Sequence, residues 1–186
     1  MYISGDNPCL SCILNNPQKI REIFINSEKS NIYKQLIEKH KLNGITKYLP
    51  KKELLKIDKE DKRSSNDIII RRDKYTSVSL GEIVSPKPKN SLIILIDQLN
   101  DQNNLGNIIR TSLLIGADGI VIPEHSSAQI NNTTSITSSG AVEVLKFNIS
   151  KNISRTLEDL KKLGYWTYSL DMTGETLTKK FNFDKR

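Results

Sequence analysis

Apolar residues in this chain come in short blocks separated by polar stretches, and the blocks have two periods. Leu92 to Ile96 is an unbroken apolar run, the pattern of a strand buried on both faces. The polar stretch Asp97 to Asn104 predicts a loop, and Leu105, Ile108, Ile109 and Leu113 then repeat at the spacing of one helical face. Gly116 to Gly119 stops that helix, and Ile120 to Ile122 predicts the next buried strand. Strand, loop, helix and strand make a βαβ unit, whose ligands sit beyond the carboxyl ends of the strands.

The alternation continues on both sides. Downstream, Ser126 to Ser139 is expected to form a helix capped by Ser126 or Ser127, Val142 to Phe147 a strand and Ser154 to Leu163 a helix. Ile153, Leu157 and Leu160 should face the sheet, Gly164 should end the helix, and Tyr165 to Leu170 should add a fourth strand. Upstream, strands are expected at Glu22 to Asn26, Ile45 to Leu49 and Asp67 to Ile70, with helices at Ser30 to His40 and Lys51 to Ile57. Ser30 or Asn31 should cap the first of these, and Ile32, Leu36 and Ile37 should be its inner side. The fold class is therefore α/β: a small mixed α/β unit followed by a parallel α/β sheet.

Gly81 to Asn90, GEIVSPKPKN, reads as a linker because prolines alternating with lysines favour an extended tether. It divides the chain into 1–80 and 91–186. Residues 1–90 hold 18 Lys or Arg against 11 Asp or Glu, and residues 91–186 hold 10 of each, so the net +7 belongs to the first part. Basic surfaces gain affinity for phosphates by counterion release. The densest cluster is Lys51, Lys52, Lys56, Lys59, Lys62, Arg63, Arg71, Arg72 and Lys74, with acids interspersed. Hydrophobic content of 37% and charged content of 26% describe a soluble chain. No apolar run approaches a membrane span and the first residues lack a signal peptide's pattern, so the expected location is the cytoplasm.

Three places in the chain invite a chemical reading. Cys9 and Cys12 form a C-x-x-C, but no second pair accompanies them and only two His are present, so core packing is favoured over zinc. A redox pair should follow a strand, and no strand is predicted before this one. His125 is placed in a loop. Asn104 is well placed to cap the helix, and Arg110 lies about 140° around it from Leu105. Leaning toward the helix N-terminus over Gly106, Arg110 should meet the loop there. A guanidinium beside a helix N-terminus suits an anion or a developing alkoxide; a solvated Arg beside an ordinary cap is the alternative.

Asn104-Leu105-Gly106 with Arg110 four residues later, Ser127 to Asn131 (SAQIN), and Ser138 to Ala141 (SSGA) occur in the order of the SpoU branch of the SPOUT RNA methyltransferases, which this sequence resembles. The opening NPCLSCILNNPQKIREIFIN resembles the start of that family's small RNA-binding domain. The resemblance implies transfer of a methyl group from S-adenosylmethionine to a ribose 2′-oxygen of rRNA or tRNA. It makes Arg110 and Asn104 catalytic, and Gly106, Ser139 and Gly140 part of the substrate site, with Arg71 and Arg72 added from the basic cluster. It implies a homodimer and requires no metal. Ser135 and Ile136 stand where family members often carry Lys, and Ser64 to Asp67 where they carry His-Gln-Gly. The last residues, Lys180 to Arg186, fall where the family continues into its knot and cofactor motifs. The expectation is a truncated SPOUT-type sheet, with cofactor residues unassigned and a non-catalytic RNA-binding remnant as the alternative function. A dinucleotide-binding fold is weak by comparison, since DQNNLGN offers one Gly where the fingerprint needs three.

Overall fold

The structure is a computed structural model, and it describes residues 1–57, 67–84, 91–125 and 127–171. Two sheets make up the frame. The first joins β1 (Tyr2–Ser4), β2 (Ile20–Asn26), β3 (Thr46–Leu49) and β4 (Ile68–Arg72) in the order β1-β4-β2-β3. β4 is antiparallel to β1 and β2, whereas β2 and β3 are parallel. Alternation along β2 and β4 sends Ile23, Ile25, Ile68 and Ile70 to one face, where α1 (Asp6–Asn15) and α2 (Ser30–Lys39) cover them. Phe24 and Ile69 point to the other face, against Leu54 of α3 (Lys51–Ile57).

The second sheet is parallel, in the order β5-β6-β7, with β5 at Ile93–Leu95, β6 at Gly119–Pro123 and β7 at Phe147–Ser150. α4 (Gln102–Leu114) crosses from β5 to β6, α5 (Asn132–Thr137) lies between β6 and β7, and α6 (Ile153–Lys162) follows. Leu105, Ile109, Ile120, Ile122, Val142 and Phe147 form its core. The α/β class and the parallel sheet match the expectation.

Five local expectations change. A strand, β1, does precede the Cys pair, yet both thiols are free and buried in the first core. In α2 the inner face is Tyr33 and Ile37, and Ile32 is exposed; the helix is preceded by a 3₁₀ turn that Asn26 caps through Glu28. The long helix expected from Ser126 is only α5, because Asn131 accepts from the Thr134 N–H and starts it there, while Ala128 N donates to Leu99 O. The strand expected from Val142 begins at Phe147: Gly140, in the left-handed region at φ 81°, turns the chain into a 3₁₀ helix over Ala141–Glu143. Tyr165 to Leu170 is not a strand; after Gly164 the Tyr165 hydroxyl shares a 2.8 Å hydrogen bond with Ser91 Oγ, and Trp166 and Leu170 stay exposed.

From Tyr75 to Ile83 the chain runs along the second sheet. Val78 N donates to Phe147 O at 2.9 Å and Asn148 Nδ2 to Val78 O at 2.7 Å, and Ile83 is buried against Gly119. Within Gly81 to Ile83, read as the start of a tether, Ile83 is packed, because it fills the space over a residue without a side chain, while Gly81 and Glu82 stay exposed. Residues 85–90 lie outside the described residues. No helix among the described residues is long and apolar enough to cross a membrane.

Candidate active site

Asp101, not Asn104, caps α4: its Oδ1 accepts from the Asn104 N–H at 2.7 Å, and Leu105 N donates to Asp101 O. The helix starts one turn earlier than the apolar pattern suggests, because the carboxylate meets both the free N–H groups and the positive end of the helix dipole. An anion of the protein's own chain thus already sits at that N-terminus. Asn104 becomes an exposed residue of the first turn. Its neighbours tie the helix to α5: Asn131 Nδ2 donates to Gln102 Oε1 at 2.8 Å and Thr137 Oγ1 to Asn103 Oδ1 at 3.1 Å.

Gly106 has a different reason from clearing a path for Arg110. It is buried where α4 crosses α5, and a Cβ there would lie 2.7 Å from Thr137 Cβ and 3.0 Å from Thr134 O. Only a residue without a side chain permits the two helices to approach this closely.

One turn further on, Arg110 is exposed and makes no hydrogen bond or ion pair among the described residues. It lines an open cleft of about 210 Å³ with Leu113 and Leu114 of α4, the loop Ser138 to Ala141, Val144, and Ser11 of α1. Arg110, Ser139 and Gly140, singled out separately in the sequence, are thus brought together. Asn104 is not: it lies six residues away, about 9 Å along the axis and 120° around it. The predicted convergence of guanidinium and helix N-terminus does not occur in this cleft.

The loop that forms the cleft's wall is held in an uncommon conformation. Ser139 and Gly140 both take positive φ, 52° and 81°. Ser139 N and Gly140 N donate back to Ile136 O and Ser135 O, closing the end of α5. A Cβ at Gly140 would meet Ser11 Cβ at 2.6 Å and Asn7 O at 2.9 Å, and Ser11 Oγ donates to Gly140 O at 2.9 Å. Helix α1 of the first sheet's unit therefore clasps the loop from behind.

The adjacent arginines of β4 part company. Arg71 remains half-exposed, its Nε 2.5 Å from Glu22 Oε2, and Lys47 donates to the same carboxylate at 2.9 Å. Hydrogen bonds from Lys47 and Arg71 hold the Glu22 carboxyl below its usual range. Arg72, expected beside Arg71 on an RNA-facing surface, is instead buried, because strand alternation turns it inward. Its side chain is 4% exposed and its partner Glu143 0%. Arg72 Nη1 donates to Glu143 Oε1, which also accepts from the Tyr75 hydroxyl at 2.6 Å, and the guanidinium lies 3.9 Å over the Tyr75 ring. Asn16 Nδ2 donates to Glu143 O at 2.7 Å and to Oε2 at 2.9 Å. Burial alone would lower the Arg72 pKa; its interactions with Tyr75 and the Glu143 carboxylate outweigh it and raise it. Of the other basic residues, Lys51 pairs with Asp67, Lys52, Lys56 and Lys74 are exposed, and Lys59, Lys62 and Arg63 lie outside the described residues.

Glu143, Asn16 and Ser11 escaped the sequence reading. Glu143 left a trace, an acid inside the apolar run AVEVL that the strand expectation passed over. No cluster of His, Cys, Asp and Glu that could hold a metal occurs among the described residues, and His125 is exposed beside Glu124.

Residues 91–186 match the family model described as the SpoU rRNA Methylase family. The chain is 30% identical over 176 residues to a putative TrmH family tRNA/rRNA methyltransferase, YacO, of Bacillus subtilis, covering 91% of this chain and 69% of the relative. It is 28% identical over 162 residues to the 23S rRNA (guanosine-2'-O-)-methyltransferase RlmB of Neisseria meningitidis, covering 87% of this chain and 65% of the relative. In structure it is similar to the SpoU methyltransferase AviRb of Streptomyces viridochromogenes, solved in complex with the cofactor AdoMet. The TM-score is 0.66 at 15% identity, over 87% of this chain and 59% of that one, a likeness of fold.

Proposed function

The chain belongs to the SpoU rRNA Methylase family, and we propose that it is an RNA ribose 2′-O-methyltransferase acting on rRNA or tRNA with S-adenosylmethionine as methyl donor. The observation that carries this reading is Arg110: an exposed guanidinium without a protein partner among the described residues, in a cleft walled by both units. A 2′-hydroxyl becomes nucleophilic as it loses its proton, and a fixed positive charge beside it stabilises the incipient alkoxide. Arg keeps its own proton at neutral pH, so Arg110 acts by charge and hydrogen bonding, not as a base. Ser139 and Gly140 supply the wall against which the ribose is held, and Asn104, exposed on the first turn of α4, meets the substrate further along. Gly106 serves through the α4–α5 packing that supports this wall. The basic first unit grips the RNA, with Arg71 in that surface and Arg72 excluded from it by burial.

Two clefts, of about 210 Å³ beside Arg110 and about 60 Å³ beside Tyr75, are smaller than the roughly 300–1,000 Å³ of ligand-enclosing pockets. Neither of these two clefts is large enough to enclose S-adenosylmethionine. Leu114 and Val144, 78% and 48% exposed beside Arg110, support a homodimer that covers this face. A cytoplasmic location fits an enzyme acting on rRNA or tRNA. No observation favours a non-catalytic remnant.

The test is incubation of the folded chain with rRNA and tRNA and methyl-labelled S-adenosylmethionine, followed by alkaline hydrolysis. A 2′-O-methyl blocks cleavage at its own phosphodiester, so label is expected in alkali-resistant dinucleotides. A folded chain that binds no cofactor in a calorimeter and labels neither RNA would overturn the proposal.

A further inference from the structure

We propose that Glu143 is a positioning residue for the Arg110 cleft: it transmits the placement of the first unit to the Ser139–Gly140 wall. Three observations carry this. First, Glu143 ends the 3₁₀ turn that begins just after Gly140, and Glu143 N donates to Gly140 O, so moving Glu143 moves the wall. Second, its carboxylate accepts from Arg72, Tyr75 and Asn16, and Asn16 Nδ2 also reaches its main-chain oxygen. Arg72 and Asn16 belong to the first sheet's unit, at the end of β4 and the end of α1. Third, the same α1 touches the wall directly through Ser11 Oγ and Gly140 O. The loop is gripped at Gly140 by Ser11 of α1 and at Glu143, three residues on, by Asn16, the residue that follows α1, and by Arg72 of β4.

The chemistry of the grip argues for geometry over stability. Exchanging a buried ion pair for apolar groups of similar volume is often neutral or stabilising. What the pair adds is direction: a planar guanidinium stacked on Tyr75 and three donors converging on one carboxylate admit a single arrangement. RNA held on the first unit is then presented to Arg110 at a fixed distance. The functional consequence rests on the methyltransferase reading; the mechanical one does not.

The experiment uses the full chain with Glu143→Gln, which keeps the shape and removes the charge, and Arg72→Lys as the conservative variant. Hydrogen exchange and methyl transfer are measured on each. With Glu143→Gln, exchange at Ser139, Gly140, Glu143 and Leu145 is expected to quicken at least tenfold while the β2 and β4 amides keep their wild-type rates. kcat should fall at least tenfold with the KM for RNA within twofold, and Arg72→Lys should lie between this variant and wild type. Should Glu143→Gln not fold, Asn16→Ser removes one arm of the grip and leaves the ion pair; at least threefold faster exchange confined to the same loop is expected. Exchange that quickens everywhere, or not at all at the loop, overturns the proposal, as does a rise in KM at constant kcat. If the wild type transfers no methyl group, the methyltransferase reading fails, and the exchange pattern alone decides whether Glu143 positions the wall.

Discussion

The loop from Ser138 to Glu143 has an arginine on either side, and the two could hardly be treated more differently. On the inner side Arg72 is buried with its charge met by Glu143 and its face covered by Tyr75. On the outer side Arg110 is exposed and meets no carboxylate among the described residues. Side-chain chemistry is the same; the surroundings assign opposite work. The seam consumes its arginine's donors in holding two units together. The cleft leaves its arginine's donors without a partner among the described residues.

The sharpest way to break this contrast is at the seam. Arg72→Met alone leaves Glu143 as an uncompensated buried charge and is expected to destabilise the fold by about 3–5 kcal/mol. Adding Glu143→Leu should recover most of that loss. A residue of about 1–3 kcal/mol should remain, because the Tyr75 hydroxyl then lacks its acceptor. Denaturant unfolding of both single variants and the double variant measures the coupling. Purely additive losses would mean that the two side chains are not partners.

Next in size is the cleft. Arg110→Ala is expected to lower methyl transfer about 10²–10³-fold, the scale of removing one electrostatic stabiliser of a developing oxyanion. Its unfolding free energy should stay within about 0.5 kcal/mol of wild type, as for a surface change that breaks no contact. Arg110→Lys keeps the charge and loses the fork, so it should recover part of the rate. A stability loss like that of Arg72→Met would erase the distinction between the two arginines.

The βαβ unit around α4 was legible because burial on both faces leaves an unbroken apolar strand, and because a helix facing a sheet must repeat at 3.6 residues. The order of short motifs also pointed to Arg110, Ser139 and Gly140, which share one cleft. The end of β4 was not legible. IIIRR reads equally well as a strand ending in solvated arginines, and what meets the charge of Arg72, once alternation has turned it inward, is an acid 71 residues later. The first turn of α4 failed for a related reason: Asp101 and Asn104 are both good caps, and one side chain's reach of the N3 amide decided between them. Val142 to Phe147 misled because a single left-handed Gly140 outranks the β propensity of the residues after it. Long-range pairing and left-handed backbone are set by packing, which no local window contains.

A smaller effect separates packing from catalysis within α4 itself. Gly106→Ala puts a methyl group 2.7 Å from Thr137 Cβ, so α4 and α5 must part. A loss of about 1–3 kcal/mol is expected, the usual range for overpacking. Gly44→Ala is the control, since nothing lies within 4 Å of a Cβ there. If Gly106→Ala instead abolished methyl transfer at unchanged stability, Gly106 would belong to the cleft and not to its support.

The smallest expected effect comes from the seam's influence on the thiols beside it. Burial, reinforced by the Glu143 charge, pushes the Cys12 thiol up to about 12, and burial raises Cys9 as well. An unfolded thiol loses its proton near pH 8.5. Between there and the folded value the native state holds more protons than the unfolded one, so stability falls as pH rises. The contribution is complete below about pH 8.5 and is lost as pH approaches 12, the loss for Cys12 reaching about 1 kcal/mol by pH 9. The unfolding midpoint should therefore decline from pH 8 upward, and Cys12→Ala should flatten that decline. Independently, a thiol-specific reagent at pH 8 should leave the native chain unlabelled and modify both cysteines once it is unfolded. Rapid labelling of the native chain would show that the C-x-x-C is reachable, and that the seam next to it opens far more readily than its closed hydrogen-bond set implies.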